Sequence, residues 1–386
     1  MRIGLPQSTI ARRLAVAVLG CALVTAVGLI VLWPRGDPPA AIDAGSLFGT
    51  RVEAVVVATD VAPCSADPVA GCRFVTIQIA SGRHRGEQTT WELPYTPHSA
   101  YSVADDIYVY ATATGDGSVH YEFADFRRDV PLLLLTLIFV VAVVALARWK
   151  GVGAIGGLGA SLLVLIVFML PSLLRGHNAV AVALVGSSVI AFVALYLAHG
   201  VNISTTVALL ATFASLALIG LMSWIFVNAS SLTGLTEDSS FVLTALGIQI
   251  DGRGLLLAGI VIGSLGVLDD VTVTQVSAVA ELRQLSPDAS RTEIYRSAVS
   301  IGKDHISSTV NTLFLTYAGA ALPLLLLFTV TGQSFSTVAT GEVVATEIVR
   351  SLVGSIGLVA SVPIATWLAA SVLVPSTVSV AALDAG

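Results

Sequence analysis

The chain of 386 residues is 55% hydrophobic and 11% charged, less than half the charged share of an ordinary soluble domain, about 25%. That composition excludes a soluble enzyme of this size and a disordered chain. With 19 basic against 25 acidic residues and no basic stripe, it also excludes a nucleic-acid binder. What remains is a polytopic α-helical membrane protein, whose first partner is the lipid bilayer.

A spanning helix needs about 20 apolar residues, and hydropathy predicts eight spans. In chain order they are Leu14–Trp33, Pro131–Ala147, Val152–Leu170, Ala179–Ala198, Ile203–Val227, Gly254–Ala280, Ile306–Val330 and Thr346–Val374. The apolar run Phe241–Ile250 is too short to cross and reads as an interfacial, re-entrant or packed loop piece. Val18-Leu19-Gly20-Cys21 loosely resembles a lipoprotein cleavage box. The apolar run continues past Cys21, however, so the first span reads as an uncleaved signal anchor.

Lys and Arg set the orientation. With both termini inside, the short cytoplasmic segments hold Arg2, Arg12, Arg13, Arg148, Lys150, Arg283, Arg291, Arg296 and Lys303, whereas the short outer loops hold only Arg175, Arg253 and Arg350. This divides the chain into an N-terminal anchor (1–33), an extracytoplasmic segment (34–129), a seven-helix membrane domain (130–375) and a cytoplasmic tail (376–386).

Segment 34–129 switches from helical runs to period-two alternation, with strands expected over Arg51–Thr59, Arg73–Ala80, Glu87–Leu93, Ile107–Thr112 and Val119–Phe123. Five strands in under 100 residues suggest a small all-β domain, such as an OB-like barrel. Cys64 and Cys72 fall in a loop between two of these strands. In an oxidising compartment they read as a loop-stapling disulfide. The alternative, a metal site with His84, His98 or His120, fits no zinc spacing.

Gly254–Glu281 is the unusual span. At steps of three and four it lines up Gly259, Gly263, Gly266, Asp270, Thr274, Ser277 and Glu281. The glycines allow close helix approach. A carboxylate at a helix centre costs about 2.5–3.5 kcal/mol, so adjacent Asp269 and Asp270 are candidate functional groups. They project about 100° apart, so one is expected to face the bundle and the other a second helix or a wet crevice. If the lipid span instead ends near Leu268, both are simply wet.

The next helix offers partners: Lys303, Asp304 and His305 at its entrance, then Asn311 and Thr312. His305, Asn311 and Thr312 could approach Asp270 or Thr274, or the hydroxyls and amide could merely join helices. The last span repeats small residues at Ser351, Gly354, Gly357 and Ser361, and Glu347 and Arg350 read as a local interfacial pair.

At these residues the chain resembles the YibE/F family of bacterial multi-pass membrane proteins. The matching stretches are Gly263–Gln275, Ile301–Thr312, Tyr317–Ala320 and Glu347–Gly357, within a likeness running from the β segment through the last span. The resemblance implies a bacterial cytoplasmic-membrane protein with one exported domain, sometimes encoded as two related proteins. It implies no settled activity and carries over no catalytic residue.

Three functions are weighed. The first is a transporter, driven by a gradient or a partner, that binds a small cation or ion-coupled solute at Asp269 and Asp270. Thr274, Glu281, His305, Asn311 and Thr312 would be nearby ligands. Oxygen ligands suit hard ions or protons. The second is an intramembrane enzyme, which lacks carboxylates on two facing helices or a Ser–His pair in reach. The third is an envelope scaffold acting through its exported domain, with the glycine faces packing a homo-oligomer or a related membrane protein. No cofactor or metal identity is legible.

Overall fold

The computed structural model describes residues 7–36, 49–65, 71–95, 101–114, 118–235, 251–330, 332 and 334–374. The short apolar run 241–250, His98 and the tail 376–386 lie outside the described residues. The chain divides into two compact units, Ala40–Ala142 and Met1–Pro39 with Val143–Gly386.

The first unit is one antiparallel sheet of β1 (Thr50–Pro63), β2 (Gly71–Ile79), β3 (Gln88–Pro94), β4 (Asp106–Ala113) and β5 (Val119–Phe126), in the order β3-β2-β1-β4-β5. All five alternating runs are strands. The long β1 pairs with β2 along one edge and β4 along the other. A register shift between Val56 and Ala58 adds local twist and curls the sheet into a half-barrel. Val56, Val75, Ile77, Ile107 and Val109 alternate inward and form its dry core.

The outer strands approach each other through side chains. The Trp91 indole N–H on β3 donates to the Tyr121 carbonyl on β5 at 2.8 Å, and Trp91 packs edge-on against Phe123. Cys64 and Cys72 are joined in a disulfide, and the Ser65 amide beside it donates to Glu92 Oε1 on β3 at 2.5 Å. That bond removes the thiolates a metal would need, although Glu92 lies close to both sulfurs.

The second unit is helical. Its elements begin with α1 (Gln7–Val31) and α2 (Asp129–Val164), whose residues up to Ala142 belong to the first unit and which continues through a π turn at Leu165–Met169 into α3 (Leu170–Leu174). Then come α4 (Ala179–His199), α5 (Ile203–Ala229), α6 (Gly252–Leu285), α7 (Arg291–Ala320), α8 (Leu322–Val330), α9 (Phe335–Thr340) and α10 (Glu342–Leu373). Six helical stretches are long and apolar enough to cross a membrane among the described residues, and the bent pair α7–α8 is a seventh. The 59° bend follows from Pro323, which cannot continue the hydrogen-bond ladder of α7.

Residues 129–174 would form a helix of about 69 Å, twice the hydrocarbon thickness. The backbone instead breaks at Arg148 (φ 51°, ψ −127°), and beyond the break Gly151 lies against the Val143 and Val144 backbone. Only a glycine allows that approach.

Side-chain caps fix where the helices start. Asn178 accepts from Ala181, Asn202 accepts from Thr205, and Ser290 with Glu293 forms a capping box at α7. The centre of the unit is α5, α6 and α10, packed through Leu209, Leu216, Ile219, Ile260, Leu268 and Leu358. Charged side chains tie the ends. Arg291 donates to the Val374 carbonyl at 2.7 Å, joining the start of α7 to the end of α10. At the opposite end Glu342 Oε1 accepts from the Thr233 hydroxyl at 2.7 Å and the Gly234 amide at 3.0 Å.

Candidate functional site

The apolar core is interrupted where α5 meets α6. Thr212 and Thr272 are fully buried and their hydroxyls meet at 2.9 Å. Asp269 stands one turn before Thr272 and turns toward α5, where its carboxyl group lies beside Thr212, and its backbone carbonyl is 3.3 Å from the Thr272 hydroxyl. Its Oδ1 is buried and has no hydrogen-bond partner. One turn further along α5, the Ser215 hydroxyl is also buried and unbonded. The result is a column of oxygens, one of them from a carboxyl group, inside a hydrocarbon-like core. Asp269 lies about 25 Å along α6 from Gly252.

Asp270 points the other way. Its side chain is 70% exposed and Oδ2 lies 3.8 Å from His305 Nε2, a charge contact too long for a hydrogen bond. The two carboxylates therefore occupy different surroundings: Asp269 in the bundle against α5, Asp270 in the open against α7.

The line Gly259, Gly263, Gly266, Asp270, Thr274, Ser277, Glu281 is the exposed edge of α6 along its whole length. Its buried face is the apolar set Leu256, Ile260, Leu265, Leu268 and Val276, with Ser264, Thr272 and Gln275. No other part of the described chain approaches Gly259 or Gly266, and Gly263 faces only the Tyr317 hydroxyl. Thr274 and Glu281 lie on this outer edge, away from Asp269.

On α7, Asn311 and Thr312 are exposed, and the Thr312 hydroxyl is occupied by the Ser308 carbonyl of its own helix. Of the sequence-derived partners, only His305 is brought to Asp270. In α10 the glycines do pack: Gly354 lies against Leu313 and Ser264, and Gly357 receives the Ile219 side chain.

Sequence reasoning missed Thr212, Ser215 and Gln275. Gln275 is buried and donates to the Ala298 carbonyl at 2.6 Å, and Gly302 sits directly over its amide oxygen. A lone threonine or serine in an apolar span gives no signal. Gln275 did give one, as an amide next to Thr274 within a spanning helix.

Glu347 and Arg350 form an ion pair at 2.8 Å, partly buried within the bundle wall, with the Arg350 guanidinium 5.9 Å from the Tyr317 ring. Arg350 lines a cavity of about 310 Å³ beside Gly259 and Thr346, and Glu347 lines another of about 590 Å³ beside Tyr317 and Phe314. The interfacial pair read from sequence thus stands between two cavities.

No curated protein and no solved structure matches the chain significantly. The family described as YibE/F-like protein matches residues 135–375, beginning after the five strands and ending with the last long helix. With its apolar helices and this match over more than half its length, the chain belongs to the YibE/F-like family of helical membrane proteins.

Proposed function

We propose that this protein is a gradient-driven or partner-driven membrane transporter that binds a small cation, or a solute coupled to one, at Asp269. Asp270 and His305 form a second charged station on the other side of the same helix. Dividing residues 129–174 at Arg148 and counting α7–α8 as one span gives eight crossings. Basic residues then favour both termini inside a bacterial cytoplasmic membrane. The β unit, with its disulfide and OB-like strand order, is then extracytoplasmic.

The observation that carries this reading is the unpartnered Oδ1 of Asp269, buried among apolar side chains beside the Thr212–Thr272 hydroxyl pair. An uncompensated buried charge costs several kcal/mol, and a bound cation or proton removes that cost. Hard oxygen donors suit a proton or an alkali or alkaline-earth ion better than a soft metal. The sequence contains no G-x-x-x-x-G-K-[ST] phosphate-binding loop, which favours a gradient or a partner as the energy source.

The test is thermal unfolding of the detergent-purified protein against a panel of cations and pH values, beside Asp269→Asn and Asp270→Asn. A ligand at 100 times its Kd stabilises by about 2.7 kcal/mol. One ion that stabilises wild type, not Asp269→Asn, and only weakly less with Asp270→Asn, is the expected result. An Asp269→Asn protein that responds to every ion as wild type does would remove Asp269 from the site.

A further inference from the structure

The outward face of α7 is wrong for lipid. Its buried residues, Ile294, Ala298, Gly302 and Leu313, form one narrow seam toward α6 and α10. On the opposite side stand Lys303, Ser307 and Asn311, with Asp304 and Ser308 beside them, all exposed. Among the described residues Lys303, Asp304 and Asn311 make no side-chain hydrogen bond or ion pair. Asn311 lies about 12 Å along the helix from Lys303, well into an apolar stretch that continues through Phe314 and Leu315. An amide facing hydrocarbon is poorly placed, and in membrane helices such groups bond across to another helix.

We infer that this face of α7 is the contact between two copies of the chain, related by a two-fold axis along the membrane normal. Such an axis sets identical residues at the same depth. An Asn amide is then its own best partner, because it carries both a donor and an acceptor. Lys303 and Asp304 are adjacent, so each can pair with the opposite charge at the same level on the other copy. Ser307 and Ser308 between them are small enough to let the helices approach closely. The inference does not depend on transport at Asp269.

The test is disulfide trapping in native membranes in a Cys21→Ser background. Ser308→Cys should form a covalent dimer under mild oxidation, whereas Leu221→Cys, on the exposed face of α5, should not. Asn311→Leu, which suits lipid and keeps a helix former, should weaken dimerisation of the full chain in lipid roughly 10-fold. Lys303→Asp should weaken it also, and co-expression with Asp304→Lys should restore a mixed dimer. Equal trapping at 308 and 221, a cross-linked product of another mass, or a monomer in lipid at all concentrations overturns the inference. Asp269→Asn should leave the trapping unchanged, which separates a failed interface from a failed ion site.

Discussion

Thr212 on α5 and Thr272 on α6 share a 2.9 Å hydrogen bond between two fully buried hydroxyls, with the Asp269 carboxylate beside them. One hydroxyl must donate and the other accept, and the Thr272 hydroxyl also lies 3.3 Å from the Asp269 carbonyl, so replacing either threonine removes the shared bond from a closed buried cluster.

Thr212→Val and Thr272→Val should therefore each lower stability by about 1–3 kcal/mol. The double variant should lose clearly less than the sum, because each single variant already removes the one bond the two hydroxyls share. A double-mutant cycle on thermal unfolding in detergent reads the coupling, and strict additivity would mean that the bond contributes nothing.

Gly302 faces Gln275 Oε1 and Val362, both 2.6 Å from where a Cβ would lie, and Gln275 is held by the Ala298 carbonyl. Gly302→Ala is expected to cost roughly 1–3 kcal/mol through overpacking. Gly220→Ala, where no atom lies within 4 Å, should be neutral or slightly stabilising. Equal melting temperatures for the two variants would show that Gln275 can move aside.

The contrast between these glycines shows where sequence reading stopped. Strands could be read because period-two alternation against water marks one dry face, as in Val75, Ile77 and Ile79 of β2. The helical stretches could be read because length and hydropathy suffice, but not whether residues 129–174, broken at Arg148, make one span or two. The direction of the α6 stripe could not be read, since lipid is as apolar as a helix bundle and periodicity there does not separate inside from outside. Leu256, Ile260 and Leu268 took the core side, and the glycine line was left facing outward. Asp269 and Asp270 are neighbours in sequence, yet the 100° between them puts one against Thr212 and the other against His305. Thr212 itself lies sixty residues before Thr272, in a span with no mark to distinguish it.

Cys64 and Cys72 close a loop of eight residues. Replacing both with serine should lower the stability of the β unit by roughly 2–3 kcal/mol, the cost of reopening a loop of that length. Protease sensitivity of segment 50–126 under mild denaturant measures it, and an unchanged profile would assign the staple no stabilising role.

Tyr121 is buried in the β unit, and its hydroxyl donates to Glu87 at 3.1 Å. Burial, the hydrogen bond and the nearby carboxylate push its ionisation from 10.0 up to about 12. The folded unit keeps a proton that the unfolded chain releases near pH 10. This stabilisation is complete below pH 10 and is lost as pH rises through about 12. Tyr121→Phe should flatten the stability profile between those values, as read by the same protease assay, and an unchanged alkaline slope would place the titration elsewhere.

The indole of Trp91 reaching the Tyr121 carbonyl has a consequence for life in a crowded compartment. A five-stranded open sheet offers two rows of unpaired backbone groups, each a template for an invading strand from another chain. Here the two outer strands, β3 and β5, are turned toward one another and bridged by an aromatic side chain instead of a full ladder. An incoming strand would have to dislodge Trp91 before it could pair. The bridge therefore guards against sheet-to-sheet adhesion.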